Sequence, residues 1–235
     1  MANPLPDFES DSQPSDDENS IFEEDSQLDD EESNVHPLAE ACIFRNVAKV
    51  KRLLVEEHVD PNCQGEFDWT PLHVAAIASD SEIIKLLLEH GAKVNAVDDE
   101  NHSALYMACE RGYSECTRCL LEHGANPNLK LSKTDETPVY ISCLNGHYNC
   151  TKLLLDHGAD INSVTTNNDS ALHAACRYGR PLVVKLLMEY NIDETIVNKK
   201  GQTALDLATS NGHVCKLPFL KNYKHTSPAE SSTSK

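Results

Sequence analysis

Apolar positions recur along most of the chain with the spacing of paired short helices. The stretches LHVAAIAS, from Leu72, and LHAACRYG, from Leu172, carry small apolar residues, whereas the stretch after the first carries the larger Ile83, Ile84 and Leu87. Apolar residues three and four positions apart line one face of an α-helix. The pattern therefore predicts helix pairs, in which a small first helix precedes a more apolar second helix.

The helix pairs recur with a period of 33 or 34 residues. Five tetrapeptides mark them: TPLH at 70–73, SALY at 103–106, TPVY at 137–140, SALH at 170–173 and TALD at 203–206, with a degenerate copy, HPLA, at 36–39. A single copy of this length cannot bury its apolar stripe, and stacking against neighbours can. The period therefore predicts a stack of helix pairs with a nearest-neighbour core.

Residues that begin and end helices stand at fixed places in each copy. Thr or Ser precedes each first helix as an N-cap, and Pro71 and Pro138 follow at a position where a missing N–H costs nothing. Glycines, or Asn191, end the helices by accepting a left-handed conformation. A tight β-hairpin turn is predicted between the pairs from residues that tolerate positive φ, namely Asp68, Asn101, Asp135, Asn168 and Gly201.

These motifs resemble the ankyrin repeat family, whose signature joins a period near 33 residues to T-P-L-H-x-A. The resemblance covers about residues 35–221. It implies an all-α fold, an ankyrin-repeat α-solenoid of helix–turn–helix pairs with short β-hairpin fingers. It divides the chain into six repeats, at about 35–64, 65–97, 98–131, 132–164, 165–197 and 198–221.

The charge is concentrated at the N-terminus. The chain has a formal charge of −18, and residues 1–34 hold 13 acids without a Lys or Arg. Such a segment buries too little apolar surface to offset its chain entropy, so we expect a disordered acidic head at 1–34 and a disordered tail at 222–235. The acidic balance argues against direct binding to nucleic acid or membrane, and the longest apolar runs fall short of a membrane span.

Nine cysteines, an odd number, and an N-terminus without a secretion signal predict free thiols and a cytoplasmic or nuclear location. Cys116, Cys119 and His123 have the spacing of metal ligands, but the repeat places the two cysteines where Ile83 and Leu86 stand one copy earlier. Core packing is therefore favoured over zinc.

Enzyme activity is not expected. His73 and His173 recur at one position of the repeat, which favours a role in helix capping over catalysis. Known catalytic and nucleotide-binding motifs are missing from the sequence, and neither a cofactor nor a metal is predicted.

The ankyrin resemblance implies that the hairpin tips and the concave face of the first helices bind partner proteins. Carried over by position, it assigns partner binding to Phe44, Glu66, Phe67, Trp69, Ile77, Glu100, His102, Glu110, Arg111, Asn145, Arg177 and Tyr178. Phe67 and Trp69 at one tip suit a binding hot spot, although they could instead cover the irregular first repeat. We expect a monomer that binds one or more proteins.

The expected role is that of an interaction scaffold or adaptor, and three narrower roles stay open. The chain could be a regulatory or targeting subunit of an enzyme. It could be an inhibitor of a transcription factor, since the layout resembles the inhibitors of kappa-B, although Asp11-Ser-Gln-Pro-Ser15 replaces their D-S-G-x-x-S motif. It could be a ubiquitin-ligase substrate receptor, since Leu217–Tyr223 faintly resembles the end of a SOCS box.

Two kinds of modification are predicted. Ser15, Ser20 and Ser26 each have an acid three residues later, which resembles the preference of acidophilic kinases. Asn62 and Asn162 have a Leu eight residues earlier and an Asp two residues earlier, which resembles the motif of an oxygen-sensing asparaginyl hydroxylase. The alternative role of these asparagines is to tie the backbone through side-chain hydrogen bonds.

Overall fold

The computed structural model describes residues 36–213, which form eleven α-helices: five helix pairs and a last, single helix. The first helices of the pairs are α1 Pro37–Ile43, α3 Pro71–Ile77, α5 Ala104–Arg111, α7 Pro138–Asn145, α9 Ala171–Arg177 and α11 Ala204–Ser210. The second helices are α2 Val47–Val55, α4 Ser81–Glu89, α6 Ser114–Glu122, α8 Tyr148–Asp156 and α10 Pro181–Glu189. The predicted acidic head and C-terminal tail lie outside the described residues.

The helices stack in two layers. Each first helix packs against the first helices before and after it, each second helix packs against its neighbouring second helices, and the two helices of a pair pack together. The buried core runs without interruption from Leu38 to Ala208. The predicted all-α solenoid of stacked helix pairs is therefore confirmed.

The repeated Thr and Ser residues cap the first helices as predicted. Thr70, Ser103, Thr137, Ser170 and Thr203 are the N-caps of α3, α5, α7, α9 and α11. At the other end, Gly112 has a φ of 78°. A Cβ on Gly112 would lie 2.5 Å from Nδ1 of His147 in the next repeat. Glycine is thus required there both by the left-handed turn and by the packing of the following repeat.

The cysteines of the described residues are free thiols, and most of them fill the core. Cys42, Cys109, Cys143 and Cys176 are fully buried, and burial raises the pKa of the Cys143 thiol to about 12. His123 Nδ1 lies 2.7 Å from the carbonyl oxygen of Cys119 and 3.9 Å from its sulfur. The imidazole therefore hydrogen-bonds to a backbone carbonyl in the last turn of α6. Between residues 36 and 213, three metal-ligating side chains do not converge at any point.

Among these same residues, no helix has both the length and the apolar character needed to cross a bilayer.

Candidate functional site

Five fingers project between the helix pairs. We name each after its tip residue: the Phe67 finger (residues 65–69), the Glu100 finger (98–102), the Thr134 finger (131–136), the Asn167 finger (165–169) and the Lys200 finger (198–202). Positive φ occurs in the predicted turn residues, at 61° in Asp68, 70° in Asn101, 56° in Asp135, 59° in Asn168 and 71° in Gly201. The prediction of a tight turn in every finger is therefore confirmed.

Three fingers are closed by the side chain at their first residue. Oδ1 of Asp98 accepts the backbone N–H of Glu100 at 3.0 Å and that of His102 at 2.7 Å. Oγ1 of Thr165 and Oδ1 of Asn198 accept the corresponding two N–H groups of their own fingers. These acceptors were not singled out from the sequence, although Asp, Thr and Asn recur five residues before the N-cap and are typical of such turns.

The tips are joined to one another along the stack by backbone hydrogen bonds. The N–H of Asp99 donates to the carbonyl of Phe67 at 3.4 Å, and the N–H of Thr166 donates to the carbonyl of Thr134 at 2.9 Å. Equivalent bonds join the Thr134 finger to the Glu100 finger, and the Lys200 finger to the Asn167 finger. The fingers therefore form one continuous strip beside the first helices.

The Phe67 finger begins with Gly65, which has no side chain to close the turn. Residues Glu66–Asp68 form a single 3-10 turn in which both Phe67 and Asp68 have positive φ, at 58° and 61°. A bulky residue rarely adopts this conformation. In this conformation, Phe67 is 68% exposed at the tip of the finger.

Trp69 has a different environment from Phe67, although both belong to the same finger. Its side chain is half-buried, and Nε1 donates to Oδ2 of Asp98 at 3.3 Å. The same carboxylate lies 2.9 Å from Nδ1 of His102. Trp69 thus fastens the Phe67 finger to the Glu100 finger.

A cleft of about 390 Å³ lies between these two fingers and the ends of α3 and α5. Seven of the predicted partner-binding residues line it, namely Phe67, Trp69, Ile77, Glu100, His102, Glu110 and Arg111. Asp98, Asp99 and Met107 also line it, and of these three Asp98 and Met107 were not predicted. Met107 could have been found from the repeat, because it lies one turn after the N-cap of α5 and one turn before Arg111.

The remaining predicted residues lie outside the cleft. Phe44 follows α1 and is 71% exposed, and Tyr178 follows α9 and is 48% exposed. Asn145 donates through Nδ2 to the carbonyl of Glu110 at 3.0 Å, and Arg177 donates to Asp169 at 2.8 Å. The side chain of Glu66 is outside the part of the chain that the structure describes.

The charged groups in and beside the cleft differ in how far they are already paired. Glu100 bonds to Lys133 in the next finger, and this contact lowers the pKa of the Glu100 carboxyl. Asp98 is buried, and its carboxylate already accepts hydrogen bonds from the backbone N–H groups of Glu100 and His102 and from Nε1 of Trp69. Glu110 and Arg111 are both exposed, and the closest approach of their charged atoms is 4.0 Å.

His73 and His173 join neighbouring repeats instead of facing solvent. Nδ1 of His73 accepts from the N–H of Thr70 at 3.1 Å, and Nε2 lies 3.2 Å from the carbonyl of His102 in the next repeat. His173 makes the same connections to Ser170 and Gln202. Burial lowers the pKa of both imidazoles, which keeps them neutral. This geometry fits the structural role predicted for them.

Asn62 and Asn162 form part of a ladder between repeats. Oδ1 of Asn62 accepts from the N–H of Lys93 at 2.8 Å, and Oδ1 of Asn162 accepts from the N–H of Asp193 at 2.9 Å. Asn95 and Asn128 make the same contact. The bonds tie each repeat to the following one, and hydroxylation at Asn62 and Asn162 stays a prediction. Ser15, Ser20 and Ser26 lie outside the described residues.

Comparison with known families adds one match. Residues 38–131, 91–165, 129–198 and 159–227 fit the model described as ankyrin repeats (3 copies), so the overlapping matches span more than half of the chain. No curated protein matches it.

Proposed function

The chain belongs to the ankyrin repeat family, whose repeats are generally protein–protein interaction modules, and we propose that it is an adaptor that holds a partner protein in the cleft between the Phe67 and Glu100 fingers. The family is typically non-catalytic. The chain acts by binding alone, as a monomer and without a cofactor. The working surface comprises repeats 2 and 3, with Phe67 as its anchor.

The exposed ring of Phe67 is the observation that carries this proposal. A protein in water gains free energy by burying such a ring, and aromatic side chains next to a pocket are typical of binding hot spots. The other fingers carry Glu100, Thr134, Asn167 and Lys200 at the corresponding position. A single aromatic tip at the mouth of a cleft supports recognition at this place.

Quantitative affinity purification with the full chain tests the proposal. The wild type is compared with Phe67→Ala and with Asn167→Ala, which truncates the equivalent tip residue three repeats later. Proteins that bind the cleft are expected to be depleted by Phe67→Ala and retained by Asn167→Ala. An identical set of bound proteins from all three chains would place the working surface elsewhere.

The inhibitor and substrate-receptor roles differ from the adaptor role in the part of the chain on which they depend. The inhibitor-like layout depends on residues 1–34, and the resemblance to a SOCS box depends on Leu217–Tyr223. Deleting residues 1–34 while keeping the repeats separates the roles. An adaptor keeps its partner after the deletion, whereas a protein that works through its head loses it.

A cytoplasmic or nuclear location is part of the proposal. The thiols of the described cysteines are unpaired, and a reducing compartment keeps them so. Fractionation of cells that produce the tagged full chain tests the location.

A further inference from the structure

The cleft combines an apolar floor with an acidic rim. Phe67 and Ile77 remain accessible, and Met107 is buried beneath them. The carboxylates that line it belong to Asp98, Asp99, Glu100 and Glu110. Two cations accompany these four groups, Arg111 within the cleft and Lys133 beside it. The local charge is therefore negative.

Two of the four carboxylates are available to a partner. Asp98 is buried and already accepts bonds from Trp69 and His102, and Glu100 is paired with Lys133. Asp99 is exposed, accepts no hydrogen bond from a side chain within the described residues and feels Lys133 only through charge attraction, and the carboxylate of Glu110 lies 4.0 Å from the guanidinium of Arg111. Asp99 and Glu110 thus present accessible negative charge on two sides of the apolar surface.

The same positions carry other charges farther along the stack. The residue that corresponds to Asp99 is Lys133, Thr166 or Lys199 in the later fingers, and the residue that corresponds to Glu110 is Leu144, Arg177 or Ser210. The acidic rim is therefore a local feature of repeats 2 and 3, not a property of the repeat. Salt screens interactions between exposed charges beyond about 8 Å. A partner in the cleft is therefore influenced mainly by the charges of repeats 2 and 3 and little by those of the later repeats.

We infer that the occupant of the cleft is a short partner segment in which a Lys or Arg stands close to a large apolar residue. The inference deepens the proposed function and rests on it. The apolar side chain packs against Phe67 and Ile77, while the cation lies near Asp99 and Glu110. A cation over the exposed face of Phe67 gains a further attraction from the ring. Opposite charge at the rim selects the partner and speeds its approach.

A random library of twelve-residue peptides, selected on the full chain, tests the inference. The selections are run in parallel on the wild type, on Phe67→Ala, on the double variant Asp99→Lys with Glu110→Lys, and on a double variant with Glu56→Lys and Glu82→Lys. The last variant makes the same change in net charge at exposed acids outside the cleft. Trp69 is the only tryptophan, so its fluorescence measures the affinity of each enriched peptide.

The expected result is enrichment of peptides that pair Lys or Arg with Leu, Phe or a similar residue. Phe67→Ala should weaken them about 30-fold, as for a hot-spot residue. The variant with lysines at 99 and 110 should enrich acidic peptides instead, and the control variant should enrich the same basic peptides as the wild type.

Two other results would overturn the inference, and they have different consequences for the proposed function. Peptides that depend on Phe67 but are neutral or acidic on the wild type would refute the basic partner and leave the cleft as the binding site. Peptides whose selection ignores both Phe67 and the two acids would refute the basic partner and the proposed site together.

Discussion

The Phe67 finger and the Lys200 finger occupy equivalent places in the stack and are built in opposite ways. The Lys200 finger begins with Asn198, whose Oδ1 accepts two backbone N–H groups across the turn. The Phe67 finger begins with Gly65 and forms a 3-10 turn with an exposed ring at its tip. The Lys200 finger therefore has a polar tip and a turn that a side chain also holds, whereas the Phe67 finger has an exposed apolar tip and lacks such a side chain.

Such a difference can confine the proposed recognition to one copy of the repeat without disturbing the others. Neighbouring fingers are joined by backbone bonds, which both kinds of finger make. The turn itself can then vary, because a backbone bond closes both fingers, from Asn198 to Gln202 and from Gly65 to Trp69, and the side chain at the first residue adds to it in only one of them. The predictions below change that side chain or the residues that it positions.

The largest effect is expected for Asp98→Ala, which opens the Glu100 finger. Removal of the buried carboxylate leaves the N–H groups of Glu100, His102 and Trp69 without their acceptor. We expect the free energy of unfolding to fall by about 3 kcal/mol, as measured by urea denaturation.

The controls for this prediction come from the same fingers. Asp98→Asn keeps the Oδ1 acceptor that Asn198 supplies in the Lys200 finger but turns a donating Nδ2 toward the indole N–H of Trp69, so it should cost about 1 to 2 kcal/mol, less than Asp98→Ala, and Asp99→Ala should stay within about 0.5 kcal/mol of the wild type. Equal losses for Asp98→Ala and Asp99→Ala would show that closure of the finger contributes nothing to stability.

The second effect separates the two aromatic residues of the Phe67 finger. Phe67→Ala should weaken partner binding by about 2 kcal/mol and leave the unfolding free energy within about 0.5 kcal/mol, because the ring is exposed. Trp69→Ala should lower stability as well, by about 2 kcal/mol, because Trp69 is half-buried and bonded to Asp98. Calorimetry of binding and thermal melts measure both quantities, and a large loss of stability in Phe67→Ala would identify it as a packing residue.

A third, smaller effect concerns pH and compares two kinds of repeat. The pKa values of His73 and His173 are lowered by burial, so below the unfolded value of about 6.5 the unfolded chain binds more protons than the folded one. Their contribution to stability is therefore complete above that pH and is lost as the pH falls.

The variant His73→Tyr with His173→Tyr installs the residue that repeats 3 and 4 carry as Tyr106 and Tyr140. Urea denaturation between pH 8 and pH 5 should show a shallower decline for this variant than for the wild type. Parallel declines would mean that the two imidazoles do not titrate with unfolding.

The smallest effect on stability, and the most direct test of the comparison, is expected for Gly65→Asp. The φ of Gly65 is not positive, and the nearest atom to an added Cβ is 3.7 Å away, so the backbone accepts the change. Replacing glycine should stabilise the chain by about 0.5 kcal/mol. The new carboxylate should also close the finger, withdraw Phe67 and weaken binding of the partner. Trp69 fluorescence and a binding titration report the two changes, and unaltered affinity would show that Gly65 does not control the tip.

The repeat, the positions of the helices and the turns were determined by the sequence alone. Thr70, Ser103 and their equivalents are the N-caps that the pattern predicted, and Asp68, Asn101 and their equivalents have the expected positive φ. These features could be predicted because they depend on contacts within a few residues, such as a hydroxyl near a free N–H or a turn that needs a small or polar residue.

Which residues of the cleft are buried and paired, and which are exposed, was decided only by the tertiary structure. From the sequence, Phe67 and Trp69 formed one aromatic pair, whereas in the fold Trp69 is bonded to Asp98 in the next repeat and Phe67 is left exposed. Asp98 and Asp99 are neighbours in sequence, yet one carboxylate is buried and the other faces solvent. Burial and pairing across repeats depend on atoms about thirty residues apart in the chain, and only the stacking of one repeat on the next brings them together.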